Sequence, residues 1–227
     1  MLAIVSSDKS YVSNLLDKFS YEKKESSKIS SVYKCNYNNH EFLIVITGYG
    51  KVNIGSTLMY IKQKYNIKAI LVIGTIGSIS NVNIFDFIIP SGSLQFDVDF
   101  MPNGYNSAQL PGVNASVYYT NTDINECLFE ICKDTNYFNG TIASSDMYVC
   151  NNSLANSIRM EYDAIGVDTE SGSIGEFCYN NDISYSCLKV ASNYAYNNSI
   201  KQYNMYDDNA SLKCQEVTYN FIKAFYE

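Results

Sequence analysis

The sequence predicts an α/β domain, a sheet covered by helices on both faces in a three-layer α-β-α sandwich. Two observations carry that expectation. Short apolar runs of strand length recur along the chain, and segments with helical spacing alternate with them. The 227 residues, 46% hydrophobic and 17% charged, are enough for one domain, 1–227, with a sizeable core.

The apolar runs are Leu2–Val5, Phe42–Ile46, Ala69–Ile73, Ile84–Ile89 and Leu188–Ala191, each rich in Ile, Val, Leu or Phe. Runs of that length without polar alternation read as strands buried on both faces. Helix-like segments lie between and after them at Lys9–Phe19, Lys51–Tyr65, Asp123–Lys133, Ser153–Glu161, Glu170–Asn180 and Ser211–Phe225. The polar stretch Tyr21–Asn39 reads as a helix end, a hairpin-like strand and a turn. Tyr194–Asn209 follows a strand end, where loops of such sheets form ligand crevices, and reads equally as a lid or as a solvated loop.

A net charge of −7 disfavours a nucleic-acid or anionic-membrane partner and leaves a small molecule. No window reaches the roughly 18 apolar residues of a membrane helix, and the apolar start is too short for a signal peptide, so a cytoplasmic location is expected. The seven cysteines are widely spaced with no CxxC pair, which predicts free thiols and neither a disulfide framework nor a metal site. No cofactor is implied. Arg159 is the single arginine and His40 the single histidine. His40 reads as a solvated turn residue, which argues against histidine-based nucleophilic catalysis.

Several motifs carry chemistry. Gly74-Thr75-Ile76-Gly77-Ser78 follows a strand, where glycines let a ligand approach the backbone. Gly48-Tyr49-Gly50-Lys51-Val52 precedes a helix, Ser144-Ser145-Asp146-Met147-Tyr148-Val149 offers an aromatic face, and Val167-Asp168-Thr169-Glu170 sets carboxylates at a helix start. The run from Ile88 to Gly112 ends a strand and contains Asp97 and Asp99 at alternate positions. Taken in order, these motifs resemble the methylthioadenosine/S-adenosylhomocysteine nucleosidases of the purine nucleoside phosphorylase superfamily.

That resemblance implies a phosphorylase/hydrolase-like fold with a mixed central sheet and hydrolysis of a purine nucleoside, 5′-methylthioadenosine or S-adenosylhomocysteine by family precedent. By the same resemblance, Thr75 and Gly77 sit beside the ribose and the attacking water, and Tyr49 lies near the 5′ group. Tyr148 stacks on the purine and the Val149 main chain bonds its edge. Glu170 accepts the ribose hydroxyls, with Asp168 and Thr169 beside it in the pocket. Asp97 and Asp99 suggest a homodimer, and Arg159 becomes a scaffold residue.

Asp168 and Thr169 stand where the family carries a longer Glu and a Met, which implies a shorter and more polar ribose pocket, and two catalytic positions depart from the family pattern as well. Ser192-Asn193 stands where the nucleosidases carry Ser-Asp, and an amide can donate a hydrogen bond to purine N7 but cannot act as a general acid. The turn Ser7-Asp8-Lys9-Ser10 lacks the family's water-positioning glutamate. Asp8 either replaces it through a rearranged turn or simply caps the following helix. Phosphorolysis ranks below hydrolysis because no arginine stands at the expected phosphate positions. A nucleoside-binding sensor or scavenger that has lost catalysis is the reading of another class.

Overall fold

The computed structural model describes residues 1–227, with the side chains of 25 and 26 excepted. Its centre is β1 (Leu2–Ser6), whose five residues are all buried. The chain then passes through a 3-10 turn at Lys9–Tyr11 and the short α1 (Ser13–Leu16). An antiparallel pair follows, β2 (Ser20–Ser26) and β3 (Ser31–Tyr37), and β3 pairs in turn with β4 (His40–Ile46). After α2 (Lys51–Lys64) comes β5 (Ala69–Ser78), which is buried along its whole length.

The second half contributes β6 (Phe87–Ile88), β7 (Gly92–Gln95), β8 (Tyr118–Tyr119), α3 (Thr122–Cys132), β9 (Tyr137–Phe138), β10 (Thr141–Ser144), α4 (Asn152–Tyr162), β11 (Ala164–Asp168), α5 (Ser171–Tyr179), β12 (Ser184–Tyr194) and α6 (Ser199–Tyr226). Among the described residues these strands form one 12-stranded sheet in the order β2-β3-β4-β1-β5-β11-β10-β7-β8. The sheet branches at β5, where β12 runs parallel and carries β6 and then β9 on its far side. Parallel pairs (β1–β4, β1–β5, β7–β10) and antiparallel pairs (β3–β4, β5–β11) make it mixed.

Alternation along the strands assigns the layers. Leu2, Ile4, Ile44, Leu71, Ile73 and Leu188 face α1, α3 and α6, meeting Leu15, Leu128, Cys214 and Phe221. Ala3, Val5, Val45, Ile70 and Val72 face the other way, meeting Ile54, Leu58 and Ile61 of α2 and Ile174 of α5. Each such fully buried aliphatic side chain contributes about 1.5–3 kcal/mol relative to exposure. The expected three layers are therefore present.

Several element boundaries differ from expectation, each with a local cause. The helix expected over Lys9–Phe19 breaks at Val12 (φ −132°, ψ −4°), and Ser20 already belongs to β2. The strand expected over Ile84–Ile89 shrinks to Phe87–Ile88, because Phe85 turns the chain at φ +72°. The Gly74–Ser78 motif does not follow the strand but continues it, held by β12 on one side and β11 on the other. The stretch 194–209 is not a free loop or lid. From Ser199 onward it is the first part of α6, whose buried face (Asp207, Ala210, Ser211, Cys214) packs against the sheet and outweighs the weak helix propensity of Asn and Tyr.

Candidate active site

Strand ends and helix starts converge at one edge of the branched sheet. The turn before α2 needs glycine at position 48: its φ is +76°, and a Cβ there would fall 1.9 Å from Ile29 Cγ2. The turn thereby brings Tyr49 to the cavity wall. The first free amide of α2, Lys51 N, is capped not locally but by Asp146 Oδ1 at 3.0 Å, which ties the loop after β10 to this helix. Asp97 completes the tie by pairing with Lys51 Nζ at 2.6 Å and accepting from Asp146 N at 3.3 Å.

The cavity is about 350 Å³, within the range that encloses a drug-sized ligand. Thr75 and Gly77 of β5, Asp168 of β11, and Thr169 and Glu170 after it form the floor. Tyr148 and Val149 form one wall, Ser192 and Asn193 of β12 another. Ser7, Tyr11, Asp146 and Tyr203 also line it, and no lysine, arginine or histidine does so among the described residues. Asp8 is not in the lining; its carboxylate accepts from Ser10 N and Ser10 Oγ, both at 2.8 Å, and caps the 3-10 turn. His40 lies far from this wall, exposed at the start of β4 and stacked on Tyr226 with ring centroids 5.0 Å apart. Arg159 is exposed on α4.

Two of these lining residues, Asp168 and Glu170, belong to a buried ion triad. Lys189 of β12, 0% exposed, places Nζ 2.5 Å from Glu170 Oε1 and 3.1 Å from Asp168 Oδ2. Burial alone would push its ammonium toward neutrality, but the Glu170 and Asp168 charges outweigh that and hold it firmly protonated. Asp168 is saturated by donors: Ser144 Oγ at 2.5 Å, Ser171 N at 3.1 Å, Glu170 N at 3.3 Å, Ser171 Oγ and Lys189. Against the cost of burial, the Lys189 charge and these bonds hold its carboxyl below the usual range. Glu170 is the softer partner. Burial and the neighbouring Asp168 charge push its carboxyl up despite Lys189, and its second oxygen accepts from Thr169 Oγ1 at 2.9 Å.

The packing under this floor is close. A Cβ at Gly172, in the first turn of α5, would lie 2.3 Å from Leu94 O, so only glycine lets α5 press on β7 and bring Glu170 to the edge of the cavity. Gly172 N also donates to Ser144 Oγ at 2.8 Å.

The Asn193 amide donates to Ser199 Oγ at 2.7 Å and accepts from Ser192 Oγ at 3.0 Å. Ser199 Oγ also meets Tyr148 OH at 3.0 Å, so Tyr148 and Asn193 are joined in one hydroxyl-amide chain anchored at the start of α6. The Tyr148 ring remains 48% exposed, with Tyr203 edge-on to it at 6.1 Å. Above the Ser6–Ser7 strand end, the buried Ser7 Oγ has no hydrogen-bond partner among the described residues.

Two charged residues at this site were missed in the sequence, and both left a signal. Lys189 is the one charge in a run expected to be buried on both faces. Asp207 belongs to a stripe on α6 at four-residue spacing, Tyr203, Asp207, Ser211 and Gln215, which is polar on the face turned to the core. Tyr11 and Ser7 gave no such signal.

A family model described as "Phosphorylase superfamily" matches residues 2–227. A 5′-methylthioadenosine/S-adenosylhomocysteine nucleosidase of Buchnera aphidicola is 26% identical over 196 residues, 85% of this chain and 83% of the relative. An aminodeoxyfutalosine nucleosidase of Campylobacter jejuni is 26% identical over 152 residues, 66% of each. Among solved structures, a Helicobacter pylori nucleosidase with one aspartate replaced by asparagine and 5′-methylthioadenosine in its active site superposes with a TM-score of 0.93, at 19% identity over 98% of both chains. A Neisseria meningitidis nucleosidase in complex with methylthio-immucillin-A gives 0.93 at 16% identity, again over 98% of both. These superpositions show a shared fold.

Proposed function

The chain belongs to the phosphorylase superfamily, and from that premise we propose that it hydrolyses the N-glycosidic bond of a purine nucleoside, with 5′-methylthioadenosine or S-adenosylhomocysteine as substrate. The observation that carries the choice of hydrolysis is the charge of the cavity. Asp146, Asp168 and Glu170 line it and no cationic side chain does, among the described residues. A phosphate nucleophile would enter an anionic pocket without a clamp, whereas water carries no such penalty.

In this reading Glu170 accepts the ribose hydroxyls. With two carboxylates on one ammonium, its surroundings carry a net negative charge that favours positive character on the sugar as the bond loosens. Tyr148 supplies the stacking face, the Val149 main chain meets the purine edge, and Asn193 donates to the departing base. Thr75 and Gly77 stand at the sugar, and Tyr49 meets the 5′ substituent. The exposed side chains of Phe100, Met101 and Tyr105, beside Asp97 and Asp99, support a homodimer. No helix among the described residues is long and apolar enough to cross a membrane, and the reading places the enzyme in the cytoplasm.

A second reading, binding without turnover, is favoured by the amide at Asn193 and by the capping role of Asp8. The Helicobacter pylori relative with an asparagine in place of one aspartate likewise holds methylthioadenosine in its active site. Free base released from methylthioadenosine, adenosylhomocysteine, adenosine and inosine, with and without phosphate, separates the readings. Phosphate-independent release is expected; binding with no release establishes the sensor, and release only with phosphate overturns hydrolysis.

A further inference from the structure

Hydrolysis needs a group that takes a proton from the attacking water, and the turn at Ser7–Asp8 offers none facing the cavity. One carboxylate near the cavity is left without a role. Asp207, 9% exposed on α6, lies one helical turn beyond Tyr203. Its Oδ1 accepts from Thr75 Oγ1 at 2.5 Å and from Tyr11 OH at 3.4 Å. Thr75 Oγ1 is also 3.1 Å from Tyr11 OH, and Tyr11 OH is 3.1 Å from Tyr203 OH. Thr75, Tyr11 and Tyr203 all line the cavity.

Three elements distant in sequence thus converge on one carboxyl: the turn after β1, the middle of β5 and the start of α6. Ser211 and Gln215, further along the same stripe, bond the backbone of Ser10 and Leu15 and fasten that turn to α6. Asp207 differs from them because its partners are side chains on the cavity wall.

We propose that Asp207 is the positioning residue that draws a proton from the attacking water through the Thr75 hydroxyl. This inference rests on the hydrolytic reading above. As the water oxygen bonds to C1′, its proton passes to Thr75 Oγ1 while the Thr75 proton passes to Asp207 Oδ1. The C1′–N9 bond breaks with its electron pair on the purine. Asp207 then returns its proton through the same hydroxyl and solvent, and the purine anion takes one up, so that nucleoside and water become free sugar and neutral base.

The surroundings suit this role. Burial pushes the Asp207 carboxyl up, against hydrogen bonds from Thr75, Tyr203, Tyr11 and Ser192. The titratable groups near it are Tyr11, Tyr203, Tyr49 and Tyr148, with the Glu170–Lys189 pair across Gly74. Burial holds the phenols of Tyr11 and Tyr203 well above their ordinary range, so they donate hydrogen bonds and add no charge near neutrality.

The test is the pH profile of base release by the intact protein and by Asp207→Asn, Asp207→Glu, Thr75→Ser and Thr75→Val, each checked for folding by its melting curve. The expected result is a parent kcat that rises with pH through the raised carboxyls of Glu170 and Asp207. Asp207→Asn should lose the Asp207 contribution to that rise and about 10²–10⁴-fold in kcat while KM moves only a few-fold. Asp207→Glu should recover part of the rate, and Thr75→Ser should work where Thr75→Val fails. An Asp207→Asn enzyme as fast as the parent, or one that is slow with a pH profile unchanged from the parent's, overturns the assignment while leaving hydrolysis intact. If the Asp207 variants do not fold, the Thr75 pair decides, and equal rates for Ser and Val overturn the assignment. A parent that releases no base overturns the hydrolytic reading and this inference with it.

Discussion

Lys189 Nζ lies 2.5 Å from Glu170 Oε1, with neither side chain more than 4% exposed. The carboxylate proposed to hold the ribose therefore arrives with its own buried counter-ion. Without that ammonium, two adjacent carboxylates would share a desolvated pocket and one would protonate. Lys189 thus opposes the protonation of Glu170 that burial and the Asp168 charge favour.

Lys189→Met should leave Asp168 and Glu170 facing each other unpaired. Breaking a buried pair in this way costs about 3–5 kcal/mol, which in a chain of this size lowers Tm by roughly 6–20 °C. Thermal melts at pH 7 measure it. The loss should shrink in acid, because the depressed Asp168 carboxyl contributes stability above its unfolded pKa of about 3.9 and loses it as pH falls through the lower folded value. A pH-independent difference would show that the pair is not coupled to folding.

Asp207 carries the opposite sign. Its carboxyl is raised in the fold, so the stability associated with its protonated form is fully present below the unfolded pKa of about 3.9 and is lost as pH rises through the higher folded value. Asp207→Asn removes that loss. Its Tm should equal that of the parent at pH 3.5–4 and exceed it at pH 7, alongside the loss of kcat argued above. A variant melting lower than the parent at pH 7 would contradict the linkage.

Asn193→Asp should introduce the proton donor that the amide lacks. Position 193 is buried and flanked by the Ser192 and Ser199 hydroxyls, so a carboxyl there is held in place. Base release below pH 6 should rise by about 10²-fold, the lower end of what a positioned acid supplies. Unchanged release would show that protonation of the base does not limit turnover.

Tyr148→Ala should weaken nucleoside binding by about 1–3 kcal/mol, the range for base–aromatic stacking. Tyr148→Phe keeps the ring and removes only the bond to Ser199 Oγ, so its affinity should lie close to that of the parent. Calorimetric titration of a non-hydrolysable nucleoside analogue into both variants checks the order. Equal losses would locate the contribution in the hydroxyl rather than the ring.

The strands legible in the sequence are the ones with helices on both sides. The cores of β1, β4, β5 and β12 read as unbroken apolar runs because each of their faces meets a helix layer. By contrast β7, β10 and β11 were unreadable, since their glycines, serines and threonines serve the close approach of α5 and the cap on Asp168 rather than a continuous apolar face. The site divides in the same way. Residues within one local motif, such as Thr75, Tyr148 and Glu170, could be named from their neighbours in sequence. Lys189 and Asp207 act through partners 19 and 132 residues away, and only packing brings such pairs together.

The long final helix has one more consequence. Tyr11 waits 192 residues for the phenol of Tyr203 that meets it. A ribosome adds roughly 5–20 residues per second, and β1 emerges well before α6 exists. Tyr203 and Asp207 are therefore the last groups to reach the cavity, and a chain cut short before them would keep Thr75, Tyr148 and Glu170 while lacking the phenol and carboxyl that meet the turn after β1.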